Sequence, residues 1–272
     1  MAFEAWVRLG AFAGFFILFF LLERRWPRRS PRTQGFFGNL LLAPSGSIVS
    51  RMLIPTGLVV FAASWHWGLF PWLGLPPFAG ILLGVLVLDL VIYLQHRLFH
   101  KIPWLWRLHR VHHSDLELDV TSGIRFHPGE ILLSALIKLS AIALLGLPAL
   151  AVLVFEILLN ATSLFNHSNL ALAGHWERFV RWLIVTPAMH EIHHSAWPGE
   201  LDRNFGFNFP WWDHWFGTYT ARSRAPAPVP IGLPGQEGHR LGFWQMLSDP
   251  FRRWPLAWGQ SSRESQGPST TT

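Results

Sequence analysis

The chain contains no cysteine. This absence excludes structural disulfides, zinc sites built from thiolates, cysteine nucleophiles and cysteine-ligated iron–sulfur clusters. Any bound metal ion must therefore be held by nitrogen and oxygen atoms. The sequence also lacks a Gly-x-Gly-x-x-Gly fingerprint for a flavin or nicotinamide cofactor and any segment that resembles a fused cytochrome.

Charged residues are also scarce, at 14% of 272 residues, whereas 50% of the residues are hydrophobic. The apolar residues form runs long enough to cross a membrane, which takes about 17–25 helical residues. The composition therefore predicts an all-α integral membrane protein, a helical bundle of about four to five spans with a cytoplasmic histidine-rich helical cap. We expect one domain over residues 1–220 and a poorly ordered, proline- and serine-rich tail over residues 221–272.

The chain carries a net charge of +6 and 16 tryptophans, which in a soluble protein would indicate a nucleic-acid partner. Here the arginines flank apolar runs and the tryptophans lie near the ends of those runs. Membrane lipids and their anionic headgroups account for both features. We therefore expect no nucleic-acid partner.

Five apolar runs are predicted to span the membrane, the last two as a tight hairpin with its turn at Gly146-Leu147-Pro148. The runs cover about Trp6–Leu22, Met52–Phe70, Pro76–Tyr93 and the two halves of Ile131–Phe165. The basic stretch Arg24 to Arg32 is interpreted as a topology determinant and headgroup contact, which puts the end of the first span in the cytoplasm. Counting spans from there puts the grouped histidines on the same side, and His66 on the opposite side as an interfacial residue.

Nine of the 14 histidines lie in four tight groups near the inner ends of these runs. The groups are His96 and His100; His109, His112 and His113; His167; and His190, His193 and His194. Residues three or four apart share one face of a helix, so each group can present several imidazoles together. Imidazole binds most divalent transition metals, and the pattern therefore predicts a two-metal site at the inner membrane boundary.

Other polar residues near these groups are candidates for supporting roles. Asp89 lies on the histidine stripe of the third span and is expected to accept the second ring proton of a ligand histidine. Three roles stay open for His127, which could bind the metal, contact a ligand or start the helix that follows. Glu156 could serve the site, or pair with Lys138 across the hairpin. The other three histidines, His175, His214 and His239, have no partners at ligand spacing and are expected at the surface or membrane interface.

Several ordered motifs carry a resemblance over about Asp89 to Tyr219. They are Asp89-x3-Tyr93-x2-His96-Arg97-x2-His100, Leu108-His109-Arg110-Val111-His112-His113, Arg125-Phe126-His127-Pro128, Asn166-His167-Ser168-Asn169, Met189-His190-Glu191-Ile192-His193-His194, Asn204-Phe205-Gly206 and Trp212-Asp213-His214-Trp215-Phe216-Gly217. Together they resemble the fatty acid hydroxylase superfamily of membrane di-iron oxygenases, also called the sterol desaturase family.

The resemblance implies two iron ions held by the nine histidines, with His127, Asp89, Asn166 and Asp213 as additional or supporting residues. It implies dioxygen and a lipid as substrates, the lipid being a sterol, a fatty acyl chain, a carotenoid or an ether lipid. Hydroxylation and desaturation both stay open. Some members have a further histidine where this chain has Ser163, so the ligand count is nine or ten. The electrons are expected from a separate reductase, ferredoxin or cytochrome.

Two alternatives come from other classes of protein. A metal transporter would gather histidines along a path at mid-membrane depth, whereas these lie near the span ends. A zinc-dependent membrane hydrolase would need a carboxylate base, for which Glu191 is the obvious candidate. Zinc in a purified sample would not decide between them, because it displaces ferrous iron from such ligands by affinity.

Overall fold

A computed structural model describes residues 2–235 and 238–252 of the chain. The described residues are helical, with two isolated β-bridges and no strand. The long helices are α1 (Ala2–Arg25), α2 (Phe36–Leu53), α5 (Pro77–Lys101), α7 (Pro128–Leu145) and α8 (Ala149–His167); the short ones are α3 (Leu58–Ser64), α4 (Leu69–Leu73), α6 (Pro103–His113), α9 (Gly174–Leu183), α10 (Pro187–His193), α11 (Trp211–Trp215) and α12 (Phe243–Ser248).

Five segments of this described chain are long and apolar enough to cross a membrane: 3–25, 36–73, 77–101, 128–145 and 149–167. The predicted hairpin between the last two is confirmed. Gly146 has a positive φ of 65°, a conformation that glycine adopts without strain, and its backbone N–H bonds to the carbonyl of Ile142 at 2.8 Å. Pro148 then precedes α8, where a missing N–H costs nothing.

The second span begins earlier than predicted, at Phe36 rather than near Met52. Helix α2 continues through Pro44, Ser45 and Gly46. The Ser45 hydroxyl donates a 2.6 Å hydrogen bond to the carbonyl of Leu42. Gly46 packs directly against α7, where an added Cβ would lie 2.9 Å from the Ile131 side chain. Small residues here serve close helix packing, which a hydropathy pattern does not reveal.

The core of the bundle lies between α3, α5, α7 and α8, with Leu88, Ile92 and Phe155 among its buried side chains. One charged cluster interrupts it. Glu156 accepts hydrogen bonds from Lys138 at 2.5 Å and from Arg8 at 2.9 Å. The ion pair across the hairpin is therefore confirmed, and it satisfies Glu156 away from the histidines.

The short helices α6, α10 and α11 follow the ends of the spans and form the cap that carries most of the histidines. The segment after Ala221, expected to be poorly ordered, packs on this cap over part of its length. Met246 of α12 is fully buried beside Leu42 and Val111, and Asp249 accepts a 2.7 Å hydrogen bond from Arg110. Residues 253–272 lie outside the described residues, and the division of the chain at residue 220 stays a prediction.

Candidate metal centre

Nine buried histidines meet where α5 and α8 end. Their ring nitrogens form two groups, and within each group one nitrogen per residue lies within 4.8 Å of the others. The first group contains His96, His100, His109, His113 and His193, and the second contains His112, His167, His190 and His194. All nine histidines of the sequence motifs are thus brought together. Each group has enough imidazoles to surround one divalent transition-metal ion.

Helix geometry explains how neighbouring histidines separate into two groups. His109 and His113 are four residues apart and share a face of α6, whereas His112 is turned by about 100° from His113. The same offset separates His193 from His194 at the end of α10. Both His-His pairs are therefore divided between the two groups, and each pair joins them through a single peptide bond.

Backbone carbonyls fix the ring orientation of four of these histidines. In each case Nδ1 lies at hydrogen-bond distance from a carbonyl oxygen: His96 to Phe205 at 2.8 Å, His193 to Arg203 at 2.8 Å, His167 to Ser163 at 2.7 Å and His112 to Arg125 at 3.3 Å. A carbonyl only accepts, so Nδ1 must carry the proton. In the neutral ring, Nε2 then carries a lone pair, which is the form that binds a metal.

The closest nitrogen contacts show that these residues fit a cation. Nε2 of His112 lies 3.0 Å from Nε2 of His167, although both rings hold their proton on Nδ1. Two lone pairs at this distance repel and cannot form a hydrogen bond. A cation bound by both nitrogens would remove this conflict, because both lone pairs would then point at a positive charge.

The second group strengthens this conclusion. Nε2 of His167 also lies 2.9 Å from Nε2 of His190 and 3.3 Å from Nε2 of His194. One ring nitrogen can take part in a single good hydrogen bond in its plane, so three such neighbours exceed its capacity. In the first group, Nε2 of His193 and Nε2 of His100 are buried without a hydrogen-bond partner, while Nδ1 of His100 lies 3.6 Å from a carboxylate oxygen of Asp202. Such orphaned atoms are costly unless an ion satisfies them.

Burial also keeps the cap imidazoles neutral. Burial lowers the pKa of His109 to about 3. It holds the pKa of His112 and of His193 well below the usual value of 6.5, and nearby histidines lower it further, because protonating one ring disfavours protonating its neighbours. At neutral pH these rings therefore present free lone pairs.

Glu130 supports the first group, and the sequence interpretation missed this role. Its Oε1 accepts a 2.7 Å hydrogen bond from Nδ1 of His109, which directs the Nε2 lone pair toward His96 at 3.0 Å. The residue stands in the first turn of α7, where an acidic side chain commonly serves the helix dipole. His127 and Pro128 start the helix and turn its first residues toward α6. Only the contact with His109 distinguishes a residue that supports a ligand from one that serves the helix dipole.

We expect Glu130→Gln to reduce metal affinity or activity roughly 10- to 100-fold, the usual loss when a carboxylate behind a ligand histidine is neutralised. The amide keeps the shape but makes the His109 ring a weaker base. Metal content after graded dialysis against a chelator measures the effect. Asp89→Asn is the matched control, because this buried carboxylate contacts no histidine through a described hydrogen bond. Equal metal loss in both variants would contradict the assignment.

The expectation for Asp89 needs correction. Its Oδ2 accepts a 2.7 Å hydrogen bond from the indole of Trp212, not from a histidine. Asp89 precedes His96 by seven residues, which is about 10 Å along a helix, so sharing a stripe does not bring the two side chains into contact. The pair joins α5 to α11 and thereby fixes the cap on the bundle.

The other three supporting candidates act on the backbone around the site. Asp213 accepts from the backbone N–H groups of Phe205 and Gly206, both at 2.8 Å, and so holds the loop whose carbonyl orients His96. Asn166 donates to the carbonyl of Phe207 at 3.0 Å. His127 caps α7 by accepting from the N–H of Gly129 at 3.0 Å, and it lies outside both histidine groups. It is thus a helix-start residue.

Ser163 lies one turn before His167, at the position where the sequence resemblance left a tenth ligand open. Its hydroxyl donates to the carbonyl of Gly123 at 2.8 Å, which fixes the turn after the α6 motif against α8. Gly123 is needed for this close approach, because an added Cβ would lie 2.6 Å from the carbonyl oxygen of Ser163. The Ser163 hydroxyl thus joins α8 to the turn at Gly123.

The basic stretch after the first span does more than was predicted. Arg28 and Arg29 both donate to the carboxylate of Glu191, so the one carboxylate considered as a hydrolytic base is neutralised by two arginines. The side chain of Arg32 is buried and donates to Asp115 and Asp119, both at 2.7 Å. The interpretation of these three arginines as topology determinants and headgroup contacts alone is wrong, because they also tie the first loop to the cap.

The remaining histidines stay apart from the two groups. His66 is exposed beside α3, at the end of the bundle opposite to His96 and His167. His214 stacks on Tyr219 with ring centroids 3.9 Å apart, and His175 lies on the surface of α9. The prediction from span parity that His66 lies apart from the cluster is confirmed.

Comparisons with known proteins agree with this geometry. The chain is 28% identical over 240 residues to an ornithine lipid hydroxylase of Rhizobium tropici, covering 85% of this chain and 70% of that protein. It is 29% identical to an alkylglycerol monooxygenase of Danio rerio over 65% of this chain and 37% of the relative. A cholesterol 25-hydroxylase of Rattus norvegicus is 29% identical over 51% of this chain and 46% of its own length. The chain thus spans less than half of the last two relatives.

No solved structure matches the chain. The family model described as fatty acid hydroxylase matches residues 81–218, which is half of the chain and includes all nine clustered histidines. The matched residues run from α5, through the cap and the hairpin, to the end of α11. The chain therefore belongs to the fatty acid hydroxylase family.

Proposed function

We propose that this integral membrane protein hydroxylates or desaturates a lipid, using dioxygen, external electrons and two iron ions held by the nine histidines. The observation that carries the proposal is the pair of deprotonated Nε2 atoms of His112 and His167, buried 3.0 Å apart within a nine-histidine cluster at the ends of two spans. Family membership and the relatives named for lipid hydroxylation support it.

The five histidines of the first group would hold one ion, and the four of the second group would hold the other. Saturated lipid carbon offers no acidic proton and no leaving group, so its oxidation needs a strong oxidant, which reduced iron supplies from dioxygen. The protein's own residues keep the rings oriented through Nδ1 and exclude water from the site. The phenyl rings of Phe126 and Phe207 line the cluster, with Phe126 stacked 4.3 Å from His112.

The net reaction for hydroxylation consumes one dioxygen, two electrons and two protons, and returns an alcohol and water. The chain has neither cysteine nor a nucleotide fingerprint, so a separate reductase, ferredoxin or cytochrome is proposed to supply the electrons. We propose that the histidine site faces the cytoplasm, as the exposed basic residues Arg24, Lys101 and Arg107 at this end of the bundle favour.

Heavy-oxygen labelling tests the proposal. Lipids are extracted from cells with and without the protein, grown under isotopically labelled dioxygen, and compared by mass spectrometry. The expected result is a lipid that gains one labelled oxygen atom, or one that loses two hydrogens, only when the protein is present. A product whose new oxygen atom is unlabelled, and therefore comes from water, would identify a hydrolase and overturn the proposal. Iron in protein purified without nickel resin gives an independent measurement.

Purified protein allows a test of the electron donor. Dithionite or a surrogate reductase should restore turnover with lipid and dioxygen, because the chain itself supplies no electrons. Sustained turnover with dioxygen and lipid alone would contradict the need for an external donor.

We expect metal retention and stability to fall together as the pH drops below neutral. The pKa values of His112, His190 and His193 are lower in the folded protein than the usual 6.5, chiefly through burial. Their stabilising effect is therefore complete above 6.5 and is lost as the pH falls below it, since the unfolded chain then binds more protons. Each such histidine contributes about 1.4 kcal/mol per pH unit.

Chelator extraction and thermal unfolding, compared at pH about 7.5 and about 5.5, measure this effect around the free histidine pKa. Metal should leave faster at the lower pH, and the melting temperature should drop. Equal extraction rates at both values would mean that protons do not compete with the metal for these rings.

A further inference from the structure

Helix α9 (Gly174–Leu183) exposes its apolar face and turns its polar face toward the protein, which is the opposite of a helix on a water-soluble protein. None of its ten residues is buried. Trp176, Phe179 and Leu183 share one face at spacings of three and four, and they are 56%, 58% and 49% exposed. A helix on a protein in water turns such a face toward the core, so an exposed aromatic face of this size requires a different partner.

The polar face of the same helix points toward the protein instead. Glu177 accepts hydrogen bonds from Arg181 at 2.9 Å and from the hydroxyl of Thr186 at 2.6 Å. Arg181 also donates to the hydroxyl of Tyr219 at 3.3 Å and to the carbonyl of Ala221 at 3.2 Å. These contacts hold α9 against the cap with its charged residues inward and its aromatic residues outward.

The position of α9 along the chain places it at the membrane boundary. Span α8 ends at His167, seven residues before α9 begins, and the connecting segment is bonded to the end of span α1. There the N–H of Ala171 donates to the carbonyl of Trp26 at 2.8 Å. The helix therefore starts close to the level at which spans α1 and α8 end.

Neighbouring aromatic residues extend this surface. Trp182 is 68% exposed, and its carbonyl accepts a 2.8 Å hydrogen bond from the indole N–H of Trp211, which is itself 42% exposed. Tryptophan is enriched at the membrane interface because its ring is apolar and its N–H is polar. Arg178 is exposed between the two faces of α9, where a guanidinium can reach a lipid phosphate.

We propose that α9 lies in the plane of the membrane interface, with Trp176, Phe179, Trp182 and Leu183 in contact with lipid acyl chains and Arg178 at the headgroups. The occupant of the uncovered face is the bilayer that holds the five spans. Thr186 is the N-cap residue of α10, the helix that carries His190 and His193. The hydrogen bond between Thr186 and Glu177 therefore joins this lipid-anchored helix to α10. The placement depends on neither the metal nor the reaction.

The absence of cysteine makes a direct test available, because single cysteines can be introduced without removing others. Phe179→Cys and Arg178→Cys place a spin label on adjacent residues turned by about 100° from each other. Both positions are exposed, so neither change removes a buried side chain. The labelled proteins are reconstituted into vesicles of phosphatidylcholine and phosphatidylglycerol. Power saturation then compares collisions with dioxygen, which concentrates in lipid, and with chromium oxalate, which stays in water.

We expect the label at Phe179 to collide mainly with dioxygen and the label at Arg178 mainly with chromium oxalate. Leu18→Cys on the exposed surface of span α1 provides the lipid reference, and Arg107→Cys provides the water reference. Two water-exposed labels on α9 would overturn the proposal. An immobile label at Phe179, shielded from both reagents, would also overturn it, by identifying a protein partner such as a second copy of the chain.

Discussion

His193→Ala and His112→Ala should each abolish lipid oxidation. The two residues belong to different histidine groups, and each orients its ring through a carbonyl of the cap. Losing a residue that only supports a ligand already costs roughly 10- to 100-fold, so removing a ligand should cost more than about 100-fold. Metal analysis should show less than two iron ions per chain in both variants, measured beside product formation.

His66→Ala is the matched control, because His66 is exposed at the far end of the bundle. It should retain both metal and activity. If it lost metal while His193→Ala kept it, the assignment of the two groups as the metal site would be wrong. A comparison of melting temperatures separates metal loss from unfolding, since a folded variant should still melt cooperatively in detergent.

Arg32→Met should destabilise the protein by about 3–5 kcal/mol, the usual cost of removing one partner of a buried ion pair. The side chain of Arg32 is buried with Asp115 and Asp119 and also donates to the hydroxyl of Ser122 at 2.9 Å. Burial opposes the charged form, but the two carboxylates outweigh it and raise the pKa of Arg32 above its usual value. Without the guanidinium, two buried carboxylates stand close together.

Denaturant titration in detergent, followed by tryptophan fluorescence, measures this loss. Arg25→Met removes an exposed arginine from the same basic stretch and should change the free energy of unfolding by no more than about 0.5 kcal/mol. Arg32→Lys should lie between the two, because lysine keeps the charge but cannot form the forked contact with Asp115. Equal losses for Arg25→Met and Arg32→Met would show that these arginines act only through overall charge.

Hydropathy and helix spacing were sufficient to predict much of the fold. Long apolar runs with Gly146 and Pro148 between them specify a hairpin almost by themselves, because both signals are local. The start of the second span was missed for the opposite reason. Gly46 of α2 packs against Ile131 of α7, about 85 positions away in the sequence, and a contact at that distance leaves no local signal.

The histidine cluster was predictable because imidazole spacing of three and four residues is a local pattern, and span parity placed the groups at one end. The supporting residues were not. Glu130 reaches His109 across 21 residues, and Arg32 reaches Asp115 across 83. A carboxylate in a first helical turn and an arginine after a span both have common local explanations, so their long-range roles leave no mark in the sequence.

If each histidine group holds one ion, as proposed, the division of each His-His pair between the two groups links the binding of the two ions. Binding of one ion by His113 and His193 would fix the backbone that also carries His112 and His194. The ligands of the second ion would then be largely positioned before that ion binds. Occupancy of the two positions should then be cooperative, with half-filled molecules rare at substoichiometric iron. If the proposed ions are iron, a cell short of iron would hold a mixture of fully loaded and empty protein, not a uniform population of half-loaded protein.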